Sequence, residues 1–165
     1  MWTSFWAPTD RPHRELFLFD AFEEIPASSY GAAHNYLFNT KKDVKGAFEA
    51  FGLNDANVHF RTGLFQKTVP LIESDPLLNK IAVFRIDGNF YDSYADALYY
   101  GYEKVPVGGI VIFDDVFSHA AVMRAWLDFK GDQGLVEELN RIDRCGNQPV
   151  RRVHPIILHS VISRR

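Results

Sequence analysis

Residues 81 to 87 read Ile-Ala-Val-Phe-Arg-Ile-Asp, and residues 108 to 115 read Gly-Gly-Ile-Val-Ile-Phe-Asp-Asp. Each stretch contains a short apolar run rich in β-branched residues that ends on aspartate, and buried parallel strands have that composition. A helical pattern and a Pro-Val-Gly-Gly turn lie between them. This order predicts one right-handed crossover, which places the ends of the two strands side by side.

Strand and helix patterns alternate along the rest of the chain. The predicted strands are 16–20, 58–62, 81–86 and 110–113, followed by an antiparallel pair at 136–142 and 150–158. The predicted helices are 41–51, 93–102 and 118–130, with 68–78 partly helical and a loop at 21–30. In 93–102 one face carries Tyr94, Ala97, Leu98 and Tyr102, and Gly131 and Gly134 are expected to end 118–130. Such alternation predicts a three-layer α/β fold with a mainly parallel sheet, and a chain of 165 residues is expected to form a single domain.

Three carboxylates converge at one edge of this predicted sheet: Asp87, Asp114 and Asp115. In open α/β sheets, ligands bind beyond the carboxyl ends of the strands. Three carboxylates and a few waters suit Mg²⁺, whereas without a cation these charges repel one another. An aspartate after a strand also often caps the next helix. Spacing alone leaves both interpretations open.

Composition excludes several classes of protein. The net charge of −3 gives no general basic field for nucleic acid. The single cysteine, Cys145, excludes an intramolecular disulfide and a cysteine zinc cluster. No apolar run approaches the roughly 20 residues of a membrane span, and the N-terminus lacks the pattern of a secretory signal. We therefore expect a cytoplasmic protein without nucleic-acid or membrane partners.

The motifs around the three aspartates resemble those of a known family. The stretch from Arg85 to Ser93, followed by Gly-Gly and Asp-Asp, looks like the R-L-D-G-D-x-Y-x-S signature of the macrocin O-methyltransferases. Upstream, residues 18–23 (Leu-Phe-Asp-Ala-Phe-Glu) resemble the family's L-F-D-x-F-E. Residues 63–70 (Gly-Leu-Phe-Gln-Lys-Thr-Val-Pro) resemble its G-x-F-x-x-T-x-P. The resemblance runs in order from about residue 16 to residue 143.

This resemblance implies a Rossmann-like class I methyltransferase fold and an activity. The family methylates sugar hydroxyls with S-adenosylmethionine and Mg²⁺, so the acceptor is expected to be a sugar or another small-molecule natural product. The resemblance implies metal ligands at Asp87, Asp114 and Asp115. It also implies that Asp20 binds the cofactor ribose and that Gly63 lies near the adenine. Asp87 is the first candidate general base and His119, four residues after Asp115, the second.

The sequence departs from the family pattern in two places. Asn89 replaces the second aspartate of R-L-D-G-D, which keeps an oxygen acceptor but loses a charge. Before L-F-D-x-F-E, family members carry a first strand and a Gly-rich turn, whereas Met1 to Glu15 contain no glycine. Only glycine allows such close backbone approach to a ligand. We therefore expect an N-terminally truncated fold with an incomplete cofactor half.

The missing strand would lie between residues 16–20 and 81–87. Its loss exposes backbone groups and apolar edges, which favour association, so a homo-oligomer is left open. Four explanations are open: an upstream start, a natural fragment, direct pairing of the two strands, or an edge supplied by a partner chain. Two other functions are also open. One is a catalytically inactive truncated methyltransferase-like domain that acts as a binding module, and the other, ranked last, is a different Mg²⁺ enzyme such as a phosphohydrolase.

Overall fold

The computed structural model describes residues 14–22, 40–53, 57–137, 139–141 and 156–159. The chain divides into two compact units, Met1–Thr62 and Gly63–Arg165. Residues 1–13, most of the loop predicted from 21 to 30, and Cys145 lie outside the described ranges. That residues 1–165 form one methyltransferase domain stays a prediction.

In its described residues, the first unit contains a pair of parallel strands and one helix. Strands β1 (Leu16–Asp20) and β2 (Val58–Thr62) pair in register from Leu16 with Val58 to Asp20 with Thr62. Helix α1 (Lys41–Ala50) begins at a capping box formed by Thr40 and Asp43, which satisfies backbone N–H groups of its first turn. All three predicted elements are confirmed.

The second unit contains the remaining elements. They are α2 (Phe65–Thr68), 3₁₀ turns at Val69–Glu73 and Pro76–Leu78, β3 (Val83–Ile86), α3 (Tyr91–Gly101), a 3₁₀ turn at Tyr102–Lys104, β4 (Ile110–Asp114), α4 (Ala120–Asp132), β5 (Leu139–Arg141) and β6 (Ile156–His159). The sheet order is β3-β4-β6-β5, with β3 parallel to β4 and the other two pairs antiparallel. Within the described ranges, no helix has the length and apolar composition needed to cross a membrane.

The α/β class and the final antiparallel pair are confirmed, and the differences lie in the bounds of several elements and in the strand pairing. In the described part of the chain β1 pairs with β2, and β3 pairs with β4. Helix α4 begins at Ala120 rather than Ser118. It also continues through Gly131, which was expected to end it, and Gly134 follows with a φ of 63°.

The core of the second unit lies between its helices and the β3–β4 pair. The predicted inward face of α3 is confirmed, because Tyr94, Ala97, Leu98 and Tyr102 are all buried. Helix α4 contributes Trp126, whose ring packs edge-on against Phe113 of β4 with 5.0 Å between centroids. Phe113 directly precedes Asp114, so this packing fixes the end of the strand that carries the acidic pair.

Replacing Asp96 of α3 with Asn should stabilise the protein at neutral pH. Within the described ranges, the buried Oδ2 atom of Asp96 has no hydrogen-bond partner. Burial, and then the charge of Asp92, raise the pKa of Asp96. A group whose pKa is raised on folding stabilises the protein below the pKa that the group has in the unfolded chain. That contribution is lost as the pH rises through the pKa of the group in the folded protein. The melting temperature of Asp96→Asn should therefore exceed that of the wild type increasingly between about pH 4 and pH 7.

Thermal melting at pH 3.5 and pH 7 measures this difference. Glu73→Gln, which neutralises an exposed carboxylate, serves as the control and should change the melting temperature little at either pH. An Asp96→Asn variant no more stable than the wild type at pH 7 would contradict the prediction.

Candidate active site

Three aspartates meet where β3 and β4 end. The parallel register pairs Ile86 with Phe113, so the next residues, Asp87 and Asp114, follow at the same edge. One carboxylate oxygen from each of Asp87, Asp114 and Asp115 lies within 4.8 Å of the others. The structure thus brings together the three residues expected from the sequence, which we call the acidic trio. Their role as metal ligands stays a prediction.

A break in the strand explains why two consecutive aspartates can face the same point. Successive side chains of an extended strand point to opposite faces of the sheet. Asp115 leaves the strand with a φ of 56°, in the left-handed region that aspartate and asparagine adopt more readily than most residues. The chain therefore turns between Asp114 and Asp115, and both carboxylates reach the trio.

The described helices do not use the trio as caps. The N-cap residues of α3 and α4 are Phe90 and His119, and neither makes a side-chain capping hydrogen bond. The Asp115 main-chain carbonyl, rather than its carboxylate, accepts the N–H groups of Ser118 and His119 at 3.0 and 2.9 Å. In the described residues, the aspartates therefore do not act as N-caps of these helices.

The trio combines one buried, one largely buried and one exposed carboxylate. Asp114 is fully buried and Asp115 nearly so, whereas the side chain of Asp87 is 41% exposed. Burial, and then the charge of Asp87, raise the pKa of Asp114, while Arg85 acts in the opposite direction. The guanidinium Nη2 of Arg85 lies 2.8 Å from Asp87 Oδ2 and also donates to Asp114 Oδ2. The pKa of Asp114 is thus raised despite its ion pair with Arg85.

Tyr94 of α3 joins the two strand ends below the trio. Its hydroxyl donates to the carbonyl of Ile86 at 2.7 Å and also contacts the carbonyl of Asp114. Burial, followed by the charges of the trio, raises the pKa of Tyr94 far above its usual range. The hydroxyl therefore remains a donor at every physiological pH and holds the backbone on both sides of the site.

Replacing Tyr94 with Phe should reduce the free energy of unfolding by about 1–3 kcal/mol, because two buried carbonyls lose their shared donor. If the acidic trio binds Mg²⁺, as the sequence predicts, the same change should weaken that binding, since the strand ends that carry the aspartates are then less well fixed. Urea unfolding and calorimetric titration with MgCl₂ measure the two effects. Tyr99→Phe, on the exposed side of the same helix, is the control and should be nearly neutral. Equal effects of the two substitutions would refute the role of the Tyr94 hydroxyl.

Gly88 allows the turn after Asp87 to pass close to α3. A Cβ atom built on Gly88 would lie 2.7 Å from Cβ of Ser93. Rotation of the Ser93 side chain does not move its Cβ atom, so a larger residue at position 88 would displace the backbone next to Asp87. Asn89, the departure from the family motif, follows in the left-handed region with a φ of 55°.

The structure places His119, the second candidate base, close to the trio. Its Nδ1 atom lies 3.0 Å from the Ser118 hydroxyl and 3.8 Å from Asp115 Oδ1, and its side chain is 46% exposed. The Ser118 hydroxyl is in turn 3.0 Å from Asp115 Oδ1. His119 is thus linked to the acidic site through Ser118, and its role as a base stays a prediction.

The two residues expected to contact the cofactor lie where β1 and β2 end. Asp20 is the last residue of β1, is exposed, and accepts the N–H of Phe22 through Oδ1 at 2.6 Å. It pairs in register with Thr62, which Gly63 follows directly in the chain. Gly63 is buried and has a φ of 140°, a conformation that favours glycine. Cofactor binding by either residue stays a prediction.

Sequence reasoning did not assign site roles to Arg85, Tyr94 or Ser118. Arg85 stands two residues before Asp87, so in an extended strand both side chains point to the same face, and that spacing was a usable signal. Tyr94 was expected only as part of the buried face of α3. A buried tyrosine needs a partner for its hydroxyl, but the sequence does not identify that partner.

Comparison with known proteins identifies the family. The macrocin-O-methyltransferase (TylF) family profile matches residues 1–148. This chain belongs to that family. Among its relatives is the 8-demethyl-8-(2,3-dimethoxy-alpha-L-rhamnosyl)-tetracenomycin-C 4'-O-methyltransferase of Streptomyces olivaceus, 31% identical over 81% of this chain and 53% of the relative. The demethyldecarbamoylnovobiocin O-methyltransferase of Streptomyces niveus is 33% identical over the same shares.

This member of the macrocin-O-methyltransferase family therefore spans about half the length of these two relatives. Its structure is similar to that of the O-methyltransferase NovP, with a TM-score of 0.72 and 27% identity over 93% of this chain and 62% of that one. The O-methyltransferase from Bacillus cereus in complex with SAH has the same fold, with a TM-score of 0.57 at 14% identity over 90% of this chain and 62% of that one. These neighbours confirm the Rossmann-like class I methyltransferase fold.

Proposed function

We propose that this chain serves S-adenosylmethionine-dependent O-methyl transfer to a hydroxyl of a sugar or another small-molecule natural product, assisted by Mg²⁺. The observation that carries the proposal is the convergence of Asp87, Asp114 and Asp115 within 4.8 Å in a member of this family. The names of the relatives support the class of acceptor, because they describe O-methyltransferases of a rhamnosyl tetracenomycin and of demethyldecarbamoylnovobiocin.

The donor set of the trio fits Mg²⁺. Its oxygens belong to three carboxylates, the ligand type that this hard cation prefers, and the exposed side of Asp87 leaves room for waters and an acceptor. A bound Mg²⁺ would supply Lewis-acid chemistry that lowers the pKa of a hydroxyl beside it. Asp87, Asp114 and Asp115 would hold the ion, and Tyr94 would keep the strand ends that carry them in place.

The exposed carboxylate of Asp87 is the proposed base. An Asp87 oxygen accepts the proton of the acceptor hydroxyl as that hydroxyl oxygen bonds to the methyl carbon and the methyl–sulfur bond breaks. His119 is the second candidate, since its ring is half-exposed and linked to Asp115 through Ser118. Asp20 would accept hydrogen bonds from the ribose hydroxyls of the cofactor, as an acidic residue at a strand end does in nucleotide-binding sheets.

Calorimetric titration with S-adenosylmethionine and with MgCl₂ tests the proposal. The 165-residue chain should bind both ligands, Asp20→Ala should lose only the cofactor, and Asp87→Asn should lose only Mg²⁺. Glu73→Ala removes an exposed carboxylate elsewhere and should bind both as the wild type does. A folded wild-type sample that binds neither ligand would rule out the proposal.

A binding module without catalysis is the second candidate function. It requires only the acidic trio, whose three carboxylates converge within 4.8 Å. It predicts Mg²⁺ binding without cofactor binding in the same titrations. Methyl transfer by this chain to any sugar hydroxyl would exclude it. Both proposals include a cytoplasmic location and no nucleic-acid partner.

A further inference from the structure

Arg85 bridges two members of the acidic trio. Arg85 projects from β3, and its Nη2 atom lies 2.8 Å from Asp87 Oδ2 and also contacts Asp114 Oδ2. The Asp114 side chain is 1% exposed, whereas that of Arg85 is 30% exposed. A buried carboxylate needs a paired charge or hydrogen-bond donors, and Arg85 provides both at once.

The three carboxylates and the guanidinium of Arg85 together carry a charge that can be summed. Three carboxylates carry −3 when ionised, and the guanidinium of Arg85, which is always protonated, brings the sum to −2. That sum matches the charge of one divalent cation. Without Arg85 the sum would be −3, which matches a trivalent cation.

We propose that Arg85 is the internal counter-ion of the acidic trio: it holds Asp87 and Asp114 together when no metal is bound and tunes the site to divalent rather than trivalent cations. The proposal rests on the metal site of the proposed function and adds to it a residue that sets the charge selectivity. Arg85 is here a positioning and selectivity residue, since the acceptor and the cofactor need not touch it.

Substitutions at Arg85 separate charge from shape. Arg85→Met removes the charge and the donors but keeps an unbranched side chain. Arg85→Lys keeps the charge but loses the planar guanidinium with its paired N–H donors.

Ca²⁺ and Tb³⁺ serve as probes because they have similar radii and different charges. Removing a neighbouring positive charge helps each ion in proportion to its own charge. The logarithm of the gain in affinity should therefore scale with the charge of the ion, as two to three for Ca²⁺ and Tb³⁺. If Ca²⁺ binds about 10-fold more tightly to Arg85→Met than to the wild type, Tb³⁺ should bind roughly 30-fold more tightly.

Calorimetric titrations of the full chain at fixed pH and ionic strength give these ratios. The proposal expects tighter binding of both ions by Arg85→Met, a larger gain for Tb³⁺, and little change for Arg85→Lys. Equal or weaker Ca²⁺ binding by Arg85→Met would overturn it and leave the Mg²⁺ proposal intact. A wild-type protein that binds none of Mg²⁺, Ca²⁺ and Tb³⁺ would overturn both.

Stability without metal gives an independent readout. Arg85→Met should melt several degrees below the wild type, and saturating Mg²⁺ should raise its melting temperature more than it raises that of the wild type. Adding Asp87→Asn to Arg85→Met removes one of the repelling carboxylates and should recover much of the loss. No recovery in the double variant would overturn the counter-ion role, including in the case where Arg85→Met alone does not fold.

Discussion

Asp114→Asn should lower the affinity for Mg²⁺ by at least about 100-fold while the protein stays folded. Loss of a residue that only supports a metal ligand costs about 10–100-fold, so loss of a buried anionic ligand should reach the upper end or beyond. Stability should not fall with it, because burial and Asp87 raise the pKa of Asp114 and the folded state thus favours an uncharged side chain there. Asn has nearly the same shape and is neutral at every pH. Calorimetric titration with MgCl₂ and thermal melting measure the two quantities.

Asp132→Asn is the matched control for this substitution. Asp132 is an exposed carboxylate at the end of α4 and lies outside the trio, so its replacement should leave Mg²⁺ affinity unchanged. Equal Mg²⁺ affinities of Asp114→Asn and the wild type would show that the trio is not the metal site. A strong fall in melting temperature would show instead that the ion pair with Arg85 outweighs the burial of Asp114.

The sequence predicts the position of the acidic trio because chain topology determines it. Two apolar runs separated by one helix can form neighbouring parallel strands only through a right-handed crossover, which puts Asp87 and Asp114 at one edge. The inward face of α3 is equally predictable, because Tyr94, Ala97 and Leu98 recur at helical spacing. Both predictions depend on periodicity and order, which a single sequence contains.

Other properties of the site depend on contacts that periodicity does not encode. The left-handed conformation of Asp115 turns its side chain towards Asp114, whereas alternation along a strand would separate the two. The bridge from Arg85 to Asp114 joins residues 29 positions apart and requires a particular side-chain rotamer. The C-terminal end of α4 was misplaced because glycine can lie inside a helix at modest cost, as Gly131 does.

Trp126→Ala should reduce the free energy of unfolding by about 3–5 kcal/mol, a large part of the stability of an ordinary domain. Trp126 is 2% exposed and packs edge-on against Phe113, so its removal leaves a cavity at the end of β4. Because Phe113 precedes Asp114, the loss should also weaken Mg²⁺ binding in whatever fraction remains folded. Urea unfolding with and without saturating MgCl₂ measures both consequences.

Leu127→Ala provides the matched control on the next residue of the same helix. Leu127 is 53% exposed, so its truncation removes little buried surface and should cost no more than about 0.5 kcal/mol. The contrast tests whether the buried face of α4 supports the site, since both variants change helix propensity in the same direction. If the two variants unfold at the same urea concentration, packing of α4 against β4 does not hold the acidic trio in place. If Trp126→Ala alone is destabilised, and the same Mg²⁺ concentration stabilises it less than it stabilises the wild type, core and site are coupled through Phe113.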